Sequence, residues 1–327
     1  MTNPTLSIIT LSFNTSKVIL DCLHSILLDK GLHFSDTGDS SSKVSTEIII
    51  IDNASSDTSV ADINHFFQQK KISKNNYKII QNNKNVGFSK ANNQGIKVAC
   101  GNYVLLLNSD TIILHSAISQ TLTWLASNPK ASMCTAQLLN PNRLVQASGG
   151  FFPNLSNVFT WSIGLDDLPF FNYLVKPFHP HTPDFYTHSN FYLKDHRQDW
   201  LTGAYLLIRR PILDSVNGFD ENYFMYGEEY ELCYRIKQKY PELEHWYLIG
   251  PQIIHLGRAS AVSQADPLVN EYLGVLHFTQ KHHPHHLKLI QKLLYLNAYL
   301  RLLFYKLTGN SKFSGFYQEA CSKISKF

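Results

Sequence analysis

The chain has 327 residues, of which 44% are hydrophobic and 17% are charged, and this composition is typical of one large globular domain or two small ones. Its net charge of +4 is too small to indicate a nucleic-acid partner, so we expect none. The 5 cysteines are widely spaced and form no Cys-x-x-Cys pair, which argues against a zinc site and favours a reduced compartment.

Buried strands alternate with helices in the first hundred residues. Short apolar runs at Leu6–Phe13, Glu47–Ile51 and Tyr77–Gln81 predict strands that are buried on both faces. Apolar residues at helical spacing follow the first two runs, and the polar segment Gly31–Thr46 is expected to be an exposed loop. The alternation predicts a mostly parallel α/β sheet with helices on both faces.

Acidic residues stand where two of these strands end. Asp52 follows the second strand, and a fourth apolar run, Tyr103–Leu107, ends in Asn108-Ser109-Asp110 before a second apolar run at Ile112–Leu114. Open α/β sheets bind ligands at the carboxyl ends of their strands, so these carboxylates are candidates for contact with a ligand or metal. The alternative is a turn aspartate that caps the strand end.

A segment rich in Asn and Gly, Asn85–Gly95, leads into a helix. Its backbone N–H groups could bind an anion, although a polar turn at a helix start explains it as well. No Gly-x-Gly-x-x-Gly follows the first strand and no Gly-Lys-Ser/Thr loop is present. This argues against a dinucleotide-binding oxidoreductase and a P-loop enzyme.

The second half of the chain begins with a segment rich in proline and aromatic residues, Gln137–Trp200, which we expect to be irregular and to form loops around a substrate cleft. A long surface excursion is the alternative. Regular structure returns with a strand at Ala204–Ile208. The Glu228-Glu229 pair opens a helix, where acids are favoured by the macrodipole, and a last strand, Leu248–His255, ends in histidine.

The C-terminal part is predicted to be helical from Pro267. Its segment Leu287–Leu307 is strongly apolar but is interrupted by four basic residues. It fits a helix that lies in a bilayer interface, a helix packed on the domain, or a dimer contact. No stretch reaches the ~18–20 apolar residues needed to span a bilayer, and no signal peptide is recognisable.

Taken in order, seven pieces of the chain resemble the family 2 glycosyltransferases, the inverting nucleotide-sugar transferases of the GT-A fold. The resemblance runs from Leu6 to about Ser260 and is closest to the rhamnosyltransferase-like branch. The pieces are TLSFN from Thr10, IIDNASSD from Ile50, NVGFSKANNQGI from Asn85, LLLNSDT from Leu105, LTGAYLLIRR from Leu201, GFDENYFMYGEEYELCYR from Gly218 and IHLGRAS from Ile254.

The resemblance implies a role for each matching residue. Those implied to bind the donor nucleotide are Thr10, Ser12, Asn14, Asp52, Asn85, Gly87, Asn92, Asn108 and Arg258. Asp110 and His255 would hold a divalent cation, Mg²⁺ or Mn²⁺, and Glu229 would be the catalytic base. Glu228 is the second catalytic candidate, because the Glu-Asp pair common in the family is Glu228-Glu229 here.

Two further departures from the family pattern matter. The metal motif Asn108-Ser109-Asp110 offers one carboxylate where some relatives have two, and Arg258 stands where glycine is frequent. The resemblance also implies a GT-A domain in two halves, a nucleotide-sugar-binding half at 1–115 and an acceptor-binding half at 116–262, followed by a helical tail at 263–327.

The function implied is transfer of a sugar from a nucleotide-diphosphate sugar, of the dTDP-rhamnose or UDP-hexose type. The acceptor would be a hydroxyl of a cell-surface glycan or lipid-linked precursor, reached in the cytoplasm by peripheral contact with the inner face of the plasma membrane. Two alternatives stay open. One is a catalytically inactive scaffold that binds sugar or nucleotide. The other is a sugar-phosphate nucleotidyltransferase, which would need a Gly-rich phosphate loop after the first strand.

Overall fold

A sheet of 10 strands forms the centre of the molecule. The computed structural model describes residues 5–34, 43–166, 168, 174–183, 190–257 and 267–327. The strands are β1 (Leu6–Ser12), β2 (Leu32–His33), β3 (Val44–Asp52), β4 (Tyr77–Gln81), β5 (Tyr103–Asn108), β6 (Thr111–Ile113), β7 (Ala131–Leu139), β8 (His196–Gln198), β9 (Tyr205–Arg209) and β10 (Glu244–His255).

The strand order is β2-β3-β1-β5-β9-β7-β10-β6, with β4 also paired to β3 and β8 to β10. The pairs that join β1, β3, β4 and β5 are all parallel. Strand β9 is inserted antiparallel between β5 and β7, and β10 runs parallel to β7 but antiparallel to β6 and β8. The predicted mostly parallel sheet is therefore confirmed, since five of the nine strand pairs among the described residues are parallel, and each antiparallel pair involves β6, β8 or β9.

Helices cover both faces of this sheet, as predicted. They are α1 (Ser16–Leu27), α2 (Ser59–Gln69), α3 (Phe88–Val98), α4 (Ala117–Ser127), α5 (Leu155–Ser162), α6 (Arg210–Ser215), α7 (Glu228–Lys239), α8 (Pro267–His282), α9 (Leu287–Leu307) and α10 (Ser311–Lys326). Short 3-10 turns lie at Phe191–Leu193 and Pro284–His286.

Two hydrophobic clusters account for the continuous apolar runs. Neighbouring residues of a strand point to opposite faces, so in β1 Ile8 belongs to one cluster and Ile9 to the other. The Ile8 side is completed by α1, α2 and α4. The Ile9 side is completed by α3, α7 and the C-terminal helices α8, α9 and α10. Each strand face thus buries apolar surface, which stabilises the sheet by roughly 25 cal/mol per Å² removed from water.

The C-terminal helices are joined to the domain by charge as well as by apolar packing. Glu231 of α7 is fully buried and accepts hydrogen bonds from Arg235 on its own helix and from Lys281 of α8, at 2.7 Å. His282 Nε2 lies 3.2 Å from the same carboxylate. Within the described part of the chain, no helix is both long and apolar enough to cross a bilayer.

Two local expectations were wrong in part. The segment Gly31–Thr46 contains β2 and the first residues of β3, so it is not loop throughout. The segment Gln137–Trp200 contains α5, which begins with a capping box between Asn154 and Asn157. Asn154 and Asn157 form the N-terminal cap of α5, but the many prolines and aromatic residues around them led us to expect no helix.

Candidate active site

Three parallel strands end side by side at one edge of the sheet. Ser12 at the end of β1 is in register with Asp52 at the end of β3, and Leu11 is in register with Asn108 at the end of β5. Neighbouring strands lie about 4.8 Å apart, so Asp52 and Asn108 are separated by roughly 10 Å across β1. The predicted convergence of polar groups at this edge follows from the register.

One carboxylate oxygen of Asp52 is hydrogen-bonded to the backbone, and the other is free to accept a hydrogen bond from a ligand. Its Oδ2 accepts a hydrogen bond from the Ser55 backbone N–H at 3.0 Å, which shapes the turn after β3. The side chain is 3% exposed, and Oδ1 has no hydrogen-bond partner among the described residues. A buried carboxylate oxygen without a donor is costly, so this atom indicates a place where a ligand N–H or O–H would bind.

Thr10 and Ser12 lie in β1 and are fully buried. Ser12 Oγ contacts Thr15 Oγ1 at 3.1 Å, whereas Thr10 Oγ1 has no partner in the part of the chain that the structure describes. Asn14 has a positive φ of 55°, and its Oδ1 accepts a hydrogen bond from the Ser56 N–H at 2.7 Å. It therefore ties the loop after β1 to the loop after β3.

The Asn85–Gly95 segment is organised by its own amides. Asn85 Oδ1 accepts hydrogen bonds from Asn53 Nδ2 and the Gly87 N–H, and Asn92 Nδ2 donates to the Phe88 carbonyl at 3.1 Å. These contacts hold the loop and the first turn of α3. A direct contact of Asn85 or Asn92 with the donor remains a prediction from the resemblance.

Gly87 joins this loop to the segment that precedes α7. Its φ is +86°, and an added Cβ would lie 2.6 Å from the Phe224 carbonyl oxygen. The next residue, Phe88, donates its backbone N–H to that same carbonyl at 2.7 Å. Only glycine permits both this φ and this approach, so Gly87 fixes the loop before α3 against the segment before α7.

Asp110 and His255 meet because of a strand pair that the sequence did not indicate. Strand β6 does not continue β5 but pairs antiparallel with the end of β10, and His255 is in register with Thr111. This places His255 Nε2 3.3 Å from Asp110 Oδ1 and 3.4 Å from Asn108 Nδ2. Both side chains are largely buried, and the Asp110 carbonyl accepts the Leu256 N–H at 2.9 Å.

Gln146 was missed in the sequence, yet it orients the histidine. Its Oε1 lies 2.6 Å from His255 Nδ1, while its Nε2 donates to Asn140 Oδ1 at 2.9 Å. Because the amide nitrogen is used by Asn140, the oxygen faces the imidazole and accepts the proton of Nδ1. Nε2 then carries the lone pair and is directed at Asp110.

The donor set at this point fits a divalent cation that is also bound by a ligand. It offers one carboxylate and one imidazole whose second nitrogen is hydrogen-bonded, as in metal-ligating histidines. The described residues include no group of three or more His, Cys, Asp or Glu placed to hold a metal by themselves. The pair is sufficient where diphosphate oxygens complete the shell, and the imidazole shifts the preference from Mg²⁺ toward Mn²⁺.

Glu228 and Glu229 open α7 directly after Gly227, whose φ is +104°. Glu228 is 2% exposed, and its Oε2 is without a hydrogen-bond partner in the described residues. Burial, and then the charge of Glu229, raise the pKa of Glu228 well above its ordinary value. Burial also raises the pKa of Glu229, against the opposing effect of a hydrogen bond from Gly203.

Glu229 is only partly buried, and its contacts connect it to Asp110 and His255. The Gly203 N–H lies 3.2 Å from Glu229 Oε1, and the adjacent Ala204 carbonyl accepts the Asn108 N–H at 3.1 Å. Asn108 in turn contacts His255. The sheet edge at the end of β5 and the start of α7 therefore share one continuous set of contacts.

A second histidine near this site, His179, lies in the segment Gln137–Trp200, and the sequence had indicated no role for it. His179 Nε2 lies 2.5 Å from Glu271 of α8, and its ring packs edge-on against Trp200. A positive charge on His179 would lower the pKa of Glu229. No local pattern around His179 could have indicated this neighbour. Arg258, the last predicted donor contact, lies outside the described residues.

The fold and the position of this site define a GT-A glycosyltransferase architecture. A structure of GalNAc-T7 with UDP, GalNAc and Mn²⁺ has a TM-score of 0.58 at 13% identity, and the match covers 99% of this chain and 56% of that one. S. aureus TarS in complex with UDP-GlcNAc has a TM-score of 0.52 at 13% identity, over 98% of this chain and 80% of that one. At this identity the likeness shows the fold alone.

Sequence comparison points to the same class of protein. The model of glycosyl transferase family 2 matches residues 7–164, which are just under half of the chain. Escherichia coli rhamnosyltransferase WbbL is 47% identical over 38 residues, and Myxococcus xanthus O-antigen biosynthesis protein RfbC is 28% identical over 185 residues. These alignments cover 12% and 56% of this chain, but only 14% and 13% of those relatives' lengths.

A third relative is N-acetylglucosaminyl-diphospho-decaprenol L-rhamnosyltransferase of Mycobacterium tuberculosis. It is 37% identical over 65 residues, which are 19% of this chain and 21% of that protein. The similarity to a rhamnosyltransferase-like branch, expected from the sequence, is confirmed by these relatives.

Proposed function

We propose that the chain transfers a sugar from a nucleotide-diphosphate sugar to a hydroxyl group, with inversion at the anomeric carbon. The observation that carries this proposal is the contact of Asp110 with His255 at 3.3 Å, at the sheet edge that also holds the unpartnered Asp52 oxygen. The match to the family model and the names of the relatives support sugar transfer. Their short alignments make the activity a proposal for this chain.

The donor nucleotide would be UDP or dTDP. Asp52 Oδ1 is an acceptor in a buried position, and both uracil and thymine present a ring N–H that can donate to it. A donor of the dTDP-rhamnose type is favoured by the relatives named rhamnosyltransferase, and a UDP-hexose is the second possibility.

Asp110 and His255 would hold the cation beside the diphosphate. A bound divalent cation would neutralise the negative charge that develops on the leaving diphosphate. Gln146 would orient the His255 ring for this role, because its Oε1 accepts the Nδ1 proton of His255.

Glu229 is the better candidate for the base. It is less buried than Glu228, and a backbone N–H at 3.2 Å helps to hold it as a carboxylate. It would take the acceptor's hydroxyl proton while the oxygen forms a bond to the anomeric carbon and the bond to the diphosphate breaks. A single displacement of this kind inverts the configuration, and the base is worth ~10²–10⁴ in rate.

The acceptor would be a cell-surface glycan or its lipid-linked precursor. One relative is named for a diphospho-decaprenol substrate, and another for O-antigen biosynthesis.

The test is a screen of UDP- and dTDP-sugars by thermal shift with Mn²⁺, followed by assay of nucleoside diphosphate release with the donor that binds. We expect one nucleotide class to raise the melting temperature, and Glu229→Gln to keep that shift while turnover falls by ~10²–10⁴. Glu242→Gln, an exposed glutamate, is the matched control. Absence of turnover with every donor, or full turnover in Glu229→Gln, would contradict the proposal.

A further inference from the structure

Helix α9 has two apolar faces, and only one of them is covered. The inner face buries Ile290, Leu294, Ala298 and Leu302 against the rest of the molecule. The outer face carries a leucine stripe, which consists of Leu289, Leu296, Leu300, Leu303 and Leu307. Their spacing of 7, 4, 3 and 4 residues returns to the same side of an α-helix at each step.

The leucine stripe is strongly exposed for apolar side chains. The exposed fraction is 47% at Leu289, 55% at Leu300 and 88% at Leu307. Tyr295, Tyr299 and Phe304 are exposed beside the stripe, at 40%, 43% and 59%. A contiguous apolar patch of this kind on a folded domain marks an interaction surface.

Lysines accompany the stripe, and no acid opposes them. Lys288, Lys292 and Lys306 lie on the same flank of α9 as the two tyrosines, all within about 60° around the helix axis by the 100° step per residue, and all three are exposed. No aspartate or glutamate occurs in the sequence between Glu271 and Glu319. The surface is therefore apolar along its middle and cationic along one side.

We infer that this face of α9 docks in the plane of an anionic membrane, with the leucine stripe among the acyl chains and the lysines at the headgroups. Apolar area and cationic flank together match that partner, because anionic headgroups lie directly beside a hydrocarbon layer. A second copy of the chain matches it poorly. Two such faces would bring lysines from both copies together with no carboxylate of α9 between them.

The helix is suited to lying on the membrane rather than crossing it. Its inner face is occupied by contacts with α5, α8 and α10, so lipid cannot surround it. Helix α8, which packs on α9, also contacts the start of α7, where Gly274 approaches Gly227. Docking of α9 would thus hold the helix that carries Glu229 at a fixed height above the lipid surface.

Co-sedimentation of the full chain with vesicles tests the inference without any need for enzymatic activity. One set of vesicles is phosphatidylcholine alone, and the other contains equal parts of phosphatidylcholine and phosphatidylglycerol. We expect binding to the anionic vesicles, weaker binding as salt is added, and little binding to the neutral ones. Equal binding to both sets at all salt concentrations, or no binding to either, would overturn the inference.

Variants separate the two contributions. Leu296→Gln/Leu300→Gln/Leu303→Gln should lower the vesicle partition coefficient more than tenfold, and Lys288→Gln/Lys292→Gln/Lys306→Gln should lower it about fivefold for each lysine on anionic vesicles. The control Leu28→Gln/Leu144→Gln/Leu193→Gln changes leucines that are similarly exposed elsewhere. Unfolding curves confirm that each variant is folded.

Two results would contradict the membrane assignment. One is an unchanged partition coefficient in the folded leucine variant. The other is a wild-type dimer, seen by light scattering, that the leucine variant converts to a monomer while neither protein binds vesicles. Because the assay measures lipid binding alone, its failure would leave the proposed transferase activity untouched.

Discussion

Two adjacent glutamates at the start of α7 have different surroundings, and this difference supports the proposal that Glu229 is the base. Glu228 is buried with one oxygen unpartnered, so a proton on that oxygen is favoured over a charge. Glu229 is partly exposed and accepts the Gly203 N–H. The two side chains are chemically identical, so the sequence could not show which of them is the base. Their different burial follows from the path of the backbone after Gly227.

Glu228→Gln is expected to stabilise the protein at neutral pH. The folded-state pKa of Glu228 lies above its ordinary value of 4.5, so its contribution to stability is full below pH 4.5 and is lost as the pH rises through the folded pKa. The loss is about 1.4 kcal/mol per unit of pKa difference. Unfolding by urea at pH 4.5 and pH 8 measures it. Stability curves of wild type and variant that run parallel across this range would show that the side chain is not buried as a neutral acid.

Gln146→Leu is expected to weaken metal binding while the fold is kept. The variant removes the acceptor for His255 Nδ1, so the imidazole loses its fixed tautomer. Loss of such an outer partner typically costs 10–100-fold in metal affinity, read here as the Mn²⁺ concentration for half-maximal donor turnover. Activity at saturating Mn²⁺ should be largely restored, which a general loss of structure would not allow. Gln68→Leu, on the exposed side of α2, is the control. An unchanged half-saturation would remove Gln146 from the site.

Residues differed in how well the sequence predicted them. Asp52 and Asp110 could be proposed from the sequence because acids at strand ends form a local pattern, and the family resemblance added His255. Gln146 and His179 lie in the segment with little regular structure, and they reach the site through tertiary contacts of more than 100 and about 50 positions along the chain, respectively. No spacing rule spans such separations.

Among the elements, most of the longer strands were predictable, whereas the directions in which the later strands pair were not. The apolar runs of β1, β3 and β5 reflect burial on both faces, which any parallel sheet covered by helices requires. The apolar run Ile112–Leu114 overlaps β6, but it does not indicate the pairing with β10 that brings His255 to Asp110. Short strands of this kind depend on the partner that the fold provides rather than on their own composition.

Gly87→Ala tests whether the loop before α3 must approach the segment before α7. The positive φ and the contact of the added Cβ with the Phe224 carbonyl at 2.6 Å should together cost on the order of 1–3 kcal/mol and reduce donor turnover. Gly315→Ala is the matched control, because Gly315 lies in α10 with nothing within 4 Å of the added Cβ. That variant should gain up to about 1 kcal/mol. Equal effects of the two changes on unfolding would contradict the account of Gly87.

A single sheet runs through the whole molecule. From the sequence, its N-terminal and C-terminal halves could only be predicted separately. The division at residue 115 and the tail from residue 263 stay predictions. In the structure, α8 packs in the same hydrophobic cluster as α7, and the ion pairs of Glu231 connect the two helices. The C-terminal helices are thus placed to influence the position of the candidate base, and this was not apparent from their amphipathic pattern.

The most direct measurement of the central claim is the rate of nucleoside diphosphate release as Mn²⁺ is titrated, for wild type and for Asp110→Asn. We expect wild-type turnover to depend on the cation and to be abolished by a chelator. Asp110→Asn should retain the fold but require far more Mn²⁺ and lose ~10²-fold or more in rate. Turnover that persists in the chelator, or a Mn²⁺ dependence that is the same in both proteins, would contradict it.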